Sequence, residues 1–260
     1  MKRPDWFLRT DMAKSKKKLI FIVLLGIVET IVFMAGVLIV WGNMPLGPAE
    51  GALEALQSGD GVTVDAGHWL VFQPNESTAT GFVFYPGARV DPVSYAPLTR
   101  AIAQNGILVI ITPMPLNLAV LGADQADDVI AAHPGITAWY VGGHSLGGAM
   151  AARYAYNHPE IKGLVLWAAY PSEIHDLSDR TDLRVISIWA SQDGLVTSSK
   201  ITASRLLLPE DTLWVTIDGG NHAQFGSYGT QKGDHQAAIS PAEQQAVIVA
   251  ETSAFLSGED

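Results

Sequence analysis

From residue 61 onward the apolar positions fall into short β-branched and aliphatic runs, separated by longer stretches with helical spacing. Val62-Thr63-Val64 and Trp69-Leu70-Val71-Phe72 predict two strands joined by a tight turn at Asp65-Ala66-Gly67. Gly81 to Tyr85 predicts a buried strand that ends in Pro86-Gly87-Ala88-Arg89-Val90. Asp91 followed by Pro92 predicts a capped helix running to Gln104, because proline at the first helical position gives up an N–H that has no partner there. Ile107 to Ile111 predicts the next strand and Ala123 to Ala132 a helix. Three further strands are expected at Leu164–Trp167, Val185–Trp189 and Leu213–Ile217, and a closing helix at Pro241–Phe255. Runs that are apolar without alternation belong in a parallel sheet covered on both faces. Strands alternating with helices after an antiparallel start therefore predict an α/β fold, with a mostly parallel central sheet and helices on both faces.

The first 60 residues follow another pattern. Residues 1–18 carry seven basic side chains against Asp5 and Asp11. Residues 19–40 are apolar, with Glu29 their only charge, and 22 residues are enough to cross a bilayer core. A central acidic residue costs about 3 kcal/mol on the insertion scale, and the Leu, Ile, Val and Phe residues return about 5–10 kcal/mol together. Insertion is favoured. The apolar run is longer than that of a cleaved signal peptide, and Trp41-Gly42-Asn43-Met44-Pro45 is a poor cleavage site, so an uncleaved transmembrane anchor is expected. No basic residue follows the span until Arg89, which predicts a cytoplasmic amino end and an extracytoplasmic main domain. Trp41 suits the outer interface. The expected organisation is a basic tail at 1–18, an anchor at 19–40, a connector at 41–60 with a short helix over Ala49–Gln57, and one domain at 61–260.

Composition narrows the chemistry. The chain has no cysteine, which excludes disulfides, thiolate catalysis and cysteine metal sites. Its net charge is −10, and setting aside the +5 of residues 1–18 leaves −15 on the rest, so there is no nucleic-acid footprint. Asn75-Glu76-Ser77 fits a glycosylation sequon, too common a pattern to be given a role.

The densest signal is Trp139 to Tyr156. Trp139-Tyr140-Val141 predicts a strand, Gly143-His144-Ser145-Leu146-Gly147 a sharp turn, and the Ala-rich sequence beyond it a helix. In this G-x-S-x-G arrangement the serine occupies a strained bend with its hydroxyl above the sheet, and the flanking glycines keep Cβ atoms out of the crowding. The competing reading is a serine that merely caps the helix.

An activated serine needs a base, an orienting carboxylate and oxyanion donors. In an open parallel sheet these partners lie beyond the carboxyl ends of later strands. Asp193 follows the strand at 185–189 and His222 the strand at 213–217, in the order serine, acid, histidine. His222 is the candidate base and Asp193 the candidate acid, with Asp218 competing from the same loop as His222. His144 is expected to point away from the elbow, and His158 to end a helix. His68, His133, His175 and His235 follow no suitable strand, although His235 and Asp234 are within reach of the cleft. For the oxyanion, the Leu146 N–H and the Ala88 N–H are the candidate donors, since Pro86 has no N–H and Gly87 admits a close approach.

With these residues assembled, positions 61–256 resemble the α/β-hydrolase superfamily. They are most similar to its compact family-5 group of dienelactone-hydrolase-like enzymes. The resemblance is carried by Phe84-Tyr85-Pro86-Gly87, Met114 to Val120, Gly143 to Gly148 and Gly219 to Gly226. It implies an α/β-hydrolase fold and a serine hydrolase with Ser145, Asp193 and His222 as triad, needing no metal and no cofactor. Ser145 stands where true dienelactone hydrolases use cysteine, so their particular substrate is not implied. Only 17 residues separate Trp167 from Val185, too few for a large cap domain. An open cleft is expected, walled by Pro113–Leu121 and Ala223–Ser240 and suited to a small-molecule or lipid-like ester. Amidase, thioesterase and lipase activity share the same machinery. A non-catalytic binding protein tethered to the membrane shares the same fold.

Overall fold

The computed structural model describes residues 5–258, with side chains from Lys18 onward apart from Leu19. Contacts divide the chain into two units, one ending at Met44 and the other beginning at Pro45. The first holds helix α1, Asp5–Gly42. Within the expected basic tail, residues 1–4 and the side chains through Lys17 lie outside the described residues. The 23 residues Ile20–Gly42 are long and apolar enough to cross a membrane, about 35 Å at 1.5 Å per residue. Thr30 donates its hydroxyl to the Gly26 carbonyl at 2.8 Å, so this polar group is satisfied within the helix.

The second unit is built on eight strands: β1 (Val62–Ala66), β2 (Leu70–Pro74), β3 (Thr80–Tyr85), β4 (Leu108–Ile111), β5 (Ala138–His144), β6 (Gly163–Trp167), β7 (Arg184–Ala190) and β8 (Leu213–Ile217). Five helices accompany them: α2 (Ala96–Ala103), α3 (Ala126–Ala132), α4 (Leu146–Asn157), α5 (Ser198–Ser204) and α6 (Pro241–Ser257). The sheet order is β1-β2-β4-β3-β5-β6-β7-β8. β2 pairs antiparallel with both β1 and β4, and every pairing from β4 through β8 is parallel.

Alternate residues of the central strands feed two cores, as the two-residue period of a strand requires. Phe82, Phe84, Val109 and Ile111 pack on one face with Leu98 and Ile102 of α2 and Ile248 and Phe255 of α6. Val83, Tyr85, Leu108 and Ile110 pack on the other with Val129 of α3 and Ala151, Ala152 and Tyr154 of α4. The small residues on α4 let it lie close to β5 and β6. The architecture is the expected α/β-hydrolase fold.

Local departures from the sequence reading have physical causes. The β1–β2 turn falls at Gly67-His68-Trp69, because Asp65 and Ala66 pair with Val71 and Leu70 and extend the ladder. The helix expected over 92–104 is split into a 3-10 turn, Pro92–Tyr95, and α2. Pro97, lacking an N–H, cannot bond back across the junction. The Asp91 side chain accepts from Val93 N at 2.9 Å, as a cap should. The helix expected over 49–57 shrinks to a single 3-10 turn, Glu54–Leu56, with Gly51 at φ +86° ending any longer one. This stretch packs onto the domain: Leu46 N donates to Arg89 O at 2.6 Å, Ala49 N to Ser227 O at 2.6 Å, and Ala52 is buried. Between β6 and β7 the chain forms only one 3-10 turn, Glu173–His175, in place of a cap. α6 begins with a capping box in which Ser240 and Glu243 satisfy each other's backbone N–H.

Candidate active site

β5 delivers Ser145 into a bend at φ 53°, ψ −122°, a conformation that side-chain-bearing residues rarely adopt. α4 starts at the next residue. The glycines on either side are required by space. A Cβ on Gly147 would strike the Tyr85 and Pro86 carbonyls, and one on Gly143 would strike the Tyr85 carbonyl and the backbone of α4. Ser145 N donates to Trp167 O at 3.0 Å, which ties the bend to the end of β6. Ser145 itself is half-buried and the side chain caps no helix N–H, so the capping role is not what this serine does.

Asp193 and His222 reach each other because β7 and β8 end in register, Ala190 opposite Ile217. Loops of similar length leave adjacent strand ends and meet. His222 Nδ1 lies 2.7 Å from Asp193 Oδ2, with both side chains fully shielded from solvent. The other carboxylate oxygen, Oδ1, accepts from Leu195 N at 2.8 Å and Val196 N at 2.6 Å. A carboxylate offers only acceptors, so this arrangement places a proton on His222 Nδ1 and leaves the Nε2 lone pair available. His222 Nε2 is buried without a hydrogen-bond partner among the described residues. Asp218, the competing acid, is exposed and has no hydrogen bond to His222.

The loop after β3 forms a turn closed by Val90 N donating to Gly87 O at 3.2 Å, with Arg89 at φ 55°. The Gly87 N–H is spent on the Tyr95 hydroxyl at 3.0 Å. The Ala88 and Leu146 N–H groups donate to no protein atom among the described residues. Both are free to receive a ligand oxygen.

Two residues beneath this surface were not assigned a role from sequence. The Tyr95 hydroxyl accepts from Gly87 N and lies 2.9 Å from His144 Nδ1, the one acceptor within reach of its proton among the described residues, which assigns the proton to that bond. The His144 ring lies 4.4 Å from that of His222 and stacks on Phe225 at 5.6 Å. Burial, and then His222 itself, hold His144 well below the usual histidine range, so it is neutral and adds no charge beside His222. Burial pushes the Tyr95 hydroxyl far above its ordinary range and keeps its proton in place. His158 stacks on Tyr154 at 3.9 Å at the end of α4, and His175 contacts Ser172 at 2.8 Å; neither is bonded to Asp193. A cavity of about 810 Å³ opens beside the His222 loop, between Glu50, Gln224, Gln231, His235 and Gln245. A second of about 310 Å³ is bordered by Leu121, Asp128 and Arg153. Ser145 lines neither of them.

Comparison with known proteins agrees with this architecture. Three solved structures share the fold at low identity. A CIB-like hydrolase from Thermoplasma acidophilum is 14% identical with a TM-score of 0.55, covering 74% of this chain and 98% of its own. A structure titled as a dienelactone hydrolase, from Klebsiella pneumoniae subsp. pneumoniae, is 16% identical with a TM-score of 0.57, covering 76% and 97%. The esterase domain of a Rhodothermus marinus protein is 14% identical with a TM-score of 0.53, covering 72% and 92%. Among curated proteins none matches the chain. The sequence profile described as the alpha/beta hydrolase family matches residues 81–246, from β3 to the start of α6 and so over half of the 260 residues. With the strand order, the elbow and that match in agreement, the chain belongs to the α/β-hydrolase family.

Proposed function

We propose that the chain is a membrane-anchored serine hydrolase that cleaves carboxylic ester bonds through an acyl-enzyme on Ser145. One observation carries this reading: the buried His222–Asp193 pair, 2.7 Å apart, with His222 Nε2 left without a partner. His144 Nε2 is likewise without a partner among the described residues, so what favours His222 as the base is the carboxylate on its Nδ1, which fixes the tautomer with the lone pair on Nε2 and can stabilise an imidazolium. Ser145 Oγ attacks the ester carbonyl carbon as its proton passes to His222 Nε2. Asp193 stabilises the resulting imidazolium without taking the proton. The Ala88 and Leu146 N–H groups receive the oxyanion. Collapse expels the alkoxide, which leaves as the alcohol with the proton held on Nε2. Water then attacks the acyl-enzyme, His222 again serving as base, and releases the acid and free Ser145.

The short β6–β7 connection and a serine outside both cavities favour an open cleft and small acyl groups. The esterase and dienelactone hydrolase titles of the structural neighbours favour esters over amides. We also read residues 19–40 as an anchor holding the domain outside the cytoplasmic face, on the strength of the basic residues before the span. The test is fluorophosphonate labelling of membrane fractions together with hydrolysis of short p-nitrophenyl esters. Wild type labels and turns over, and Ser145→Ala does neither. Labelling that survives in Ser145→Ala, or wild type that neither labels nor cleaves any acyl substrate, contradicts the proposal and favours a binding protein.

A further inference from the structure

Asp234 stands outside the serine, acid and histidine, on the loop between the 3-10 turn Ala223–Phe225 and α6. Its carboxylate accepts three backbone N–H bonds. Oδ1 takes Gly194 N at 3.0 Å and His235 N at 2.9 Å, and Oδ2 takes Ala223 N at 2.9 Å. Gly194 directly follows Asp193, and Ala223 directly follows His222. One side chain thus joins the residues next to the acid and next to the base, on the far side of both from the strand-end bonds Gln192 N to Gly220 O and Gly219 N to Ser191 Oγ, each 2.8 Å, that also link the two loops. The strap is close-fitting. A Cβ on Gly194 would press on Gly233 O, His235 N and Asp234 Cα. Asn221 Nδ2 donates to His235 O at 2.7 Å and holds the strap from the histidine side.

We infer that Asp234 is a positioning residue, which fixes the distance between Asp193 and His222 by bridging the Gly194 and Ala223 N–H groups. The inference rests on the triad reading above. The chemistry of the bridge requires a carboxylate. Each arm needs an acceptor, and a carboxamide has only one oxygen. Asparagine has nearly the same shape, but it must turn its NH2 toward either Gly194 N or Ala223 N and so keeps one arm only. The loops would then be held together on the strand side alone, by the Gln192–Gly220 and Ser191–Gly219 bonds, with nothing bridging the residues that follow the acid and the base. The 2.7 Å contact between them is buried and has no slack, so a displacement of one loop by a fraction of an ångström is felt in the proton transfer.

The experiment is a double-mutant cycle on the full chain in detergent or membranes, with Asp234→Asn and Asp193→Ala singly and together. Turnover of a short p-nitrophenyl ester is read, with rates referred to the folded fraction measured by circular dichroism, so that unfolded material is not counted as slow enzyme. Asp234→Asn is expected to lower kcat about 10- to 100-fold when Asp193 is present, and less than about threefold when Asp193 is already gone. Asp234→Glu keeps two acceptor oxygens and is expected to recover at least about tenfold over Asp234→Asn. Equal losses in both backgrounds, no loss in the first, or no recovery with glutamate would overturn the inference. Wild-type kcat in Asp193→Ala alone would overturn the triad reading, and the inference with it.

Discussion

Replacing Tyr95 by phenylalanine removes one oxygen and keeps the ring, so its consequences follow from two hydrogen bonds. The hydroxyl accepts from Gly87 N at 3.0 Å and donates to His144 Nδ1 at 2.9 Å, and Tyr95 is fully buried. The ring contacts persist in the variant, with Phe84 at 4.9 Å and Tyr228 at 6.5 Å between centroids. Each buried group left without its partner costs about 1–3 kcal/mol. Some relaxation of His144 brings the sum to about 2–4 kcal/mol. For a domain of this size 1 kcal/mol moves Tm by about 2–4 °C, so Tm should fall by about 5–15 °C. The catalytic effect is separate. Gly87 begins the turn that presents the Ala88 N–H, and a Gly87 N–H freed from Tyr95 competes for the same oxyanion from the wrong angle. Loss of a whole oxyanion donor costs 10²–10³ in kcat, and a misaimed one should cost about tenfold. Thermal unfolding in detergent and turnover of a p-nitrophenyl ester measure both. A Tm within about 2 °C of wild type, less than the shift expected for 1 kcal/mol, would refute the claim that this hydroxyl satisfies two buried groups.

Ala88 occupies the second position of a turn whose third residue has φ 55°, a type II geometry that accepts proline there. Ala88→Pro therefore deletes the N–H while keeping the turn, and kcat should fall at least about 100-fold with slower fluorophosphonate labelling; normal kcat would remove Ala88 from the site. Asp193→Asn should cut kcat by about 10⁴, and Asp218→Asn should change it little; the reverse order would show the acid to be wrongly assigned. Folded His144 is held below its unfolded value of about 6.5, so as pH falls through 6.5 only the unfolded chain takes up that proton. Stability from this group is complete above about pH 6.5 and declines below it by up to about 1.4 kcal/mol per pH unit. His144→Gln should flatten Tm against pH between about 6.5 and 5, and an unchanged slope would contradict the assignment. Protease added outside intact cells or spheroplasts should cut the main domain, and protection until the membrane is lysed would reverse the orientation.

The parts of this molecule that can be read from its sequence are those built from neighbours in the chain. The elbow is one, since Gly143, Ser145 and Gly147 lie within five residues and the crowding that selects glycine is local. The apolar runs of β3 to β7 are another, because a strand buried on both faces leaves no room for polar alternation. Asp193 and His222 could be placed together because each follows a strand by a few residues, and β7 and β8 are neighbours. The contacts of Tyr95 with His144 span 49 residues, and those of Asp234 with Gly194 span 40. Neither pair lies in a recurring motif, and a tyrosine in a helix-starting segment or an aspartate in a polar loop has many ordinary uses. The docking of this segment on the domain, through the backbone bonds of Leu46 and Ala49 and the burial of Ala52, was equally hidden, because Gly47, Pro48 and Gly51 give it the composition of a linker.

The central claim is that Ser145 carries the acyl group during turnover. The most direct measurement is mass spectrometry of the protein quenched in acid during steady-state hydrolysis of p-nitrophenyl acetate, followed by digestion. The account predicts one acetyl group on the peptide containing Ser145, formed in wild type, lost when substrate is exhausted, and absent in Ser145→Ala. An actively hydrolysing protein with no acetyl group on that peptide, or with one on a different residue, would contradict it.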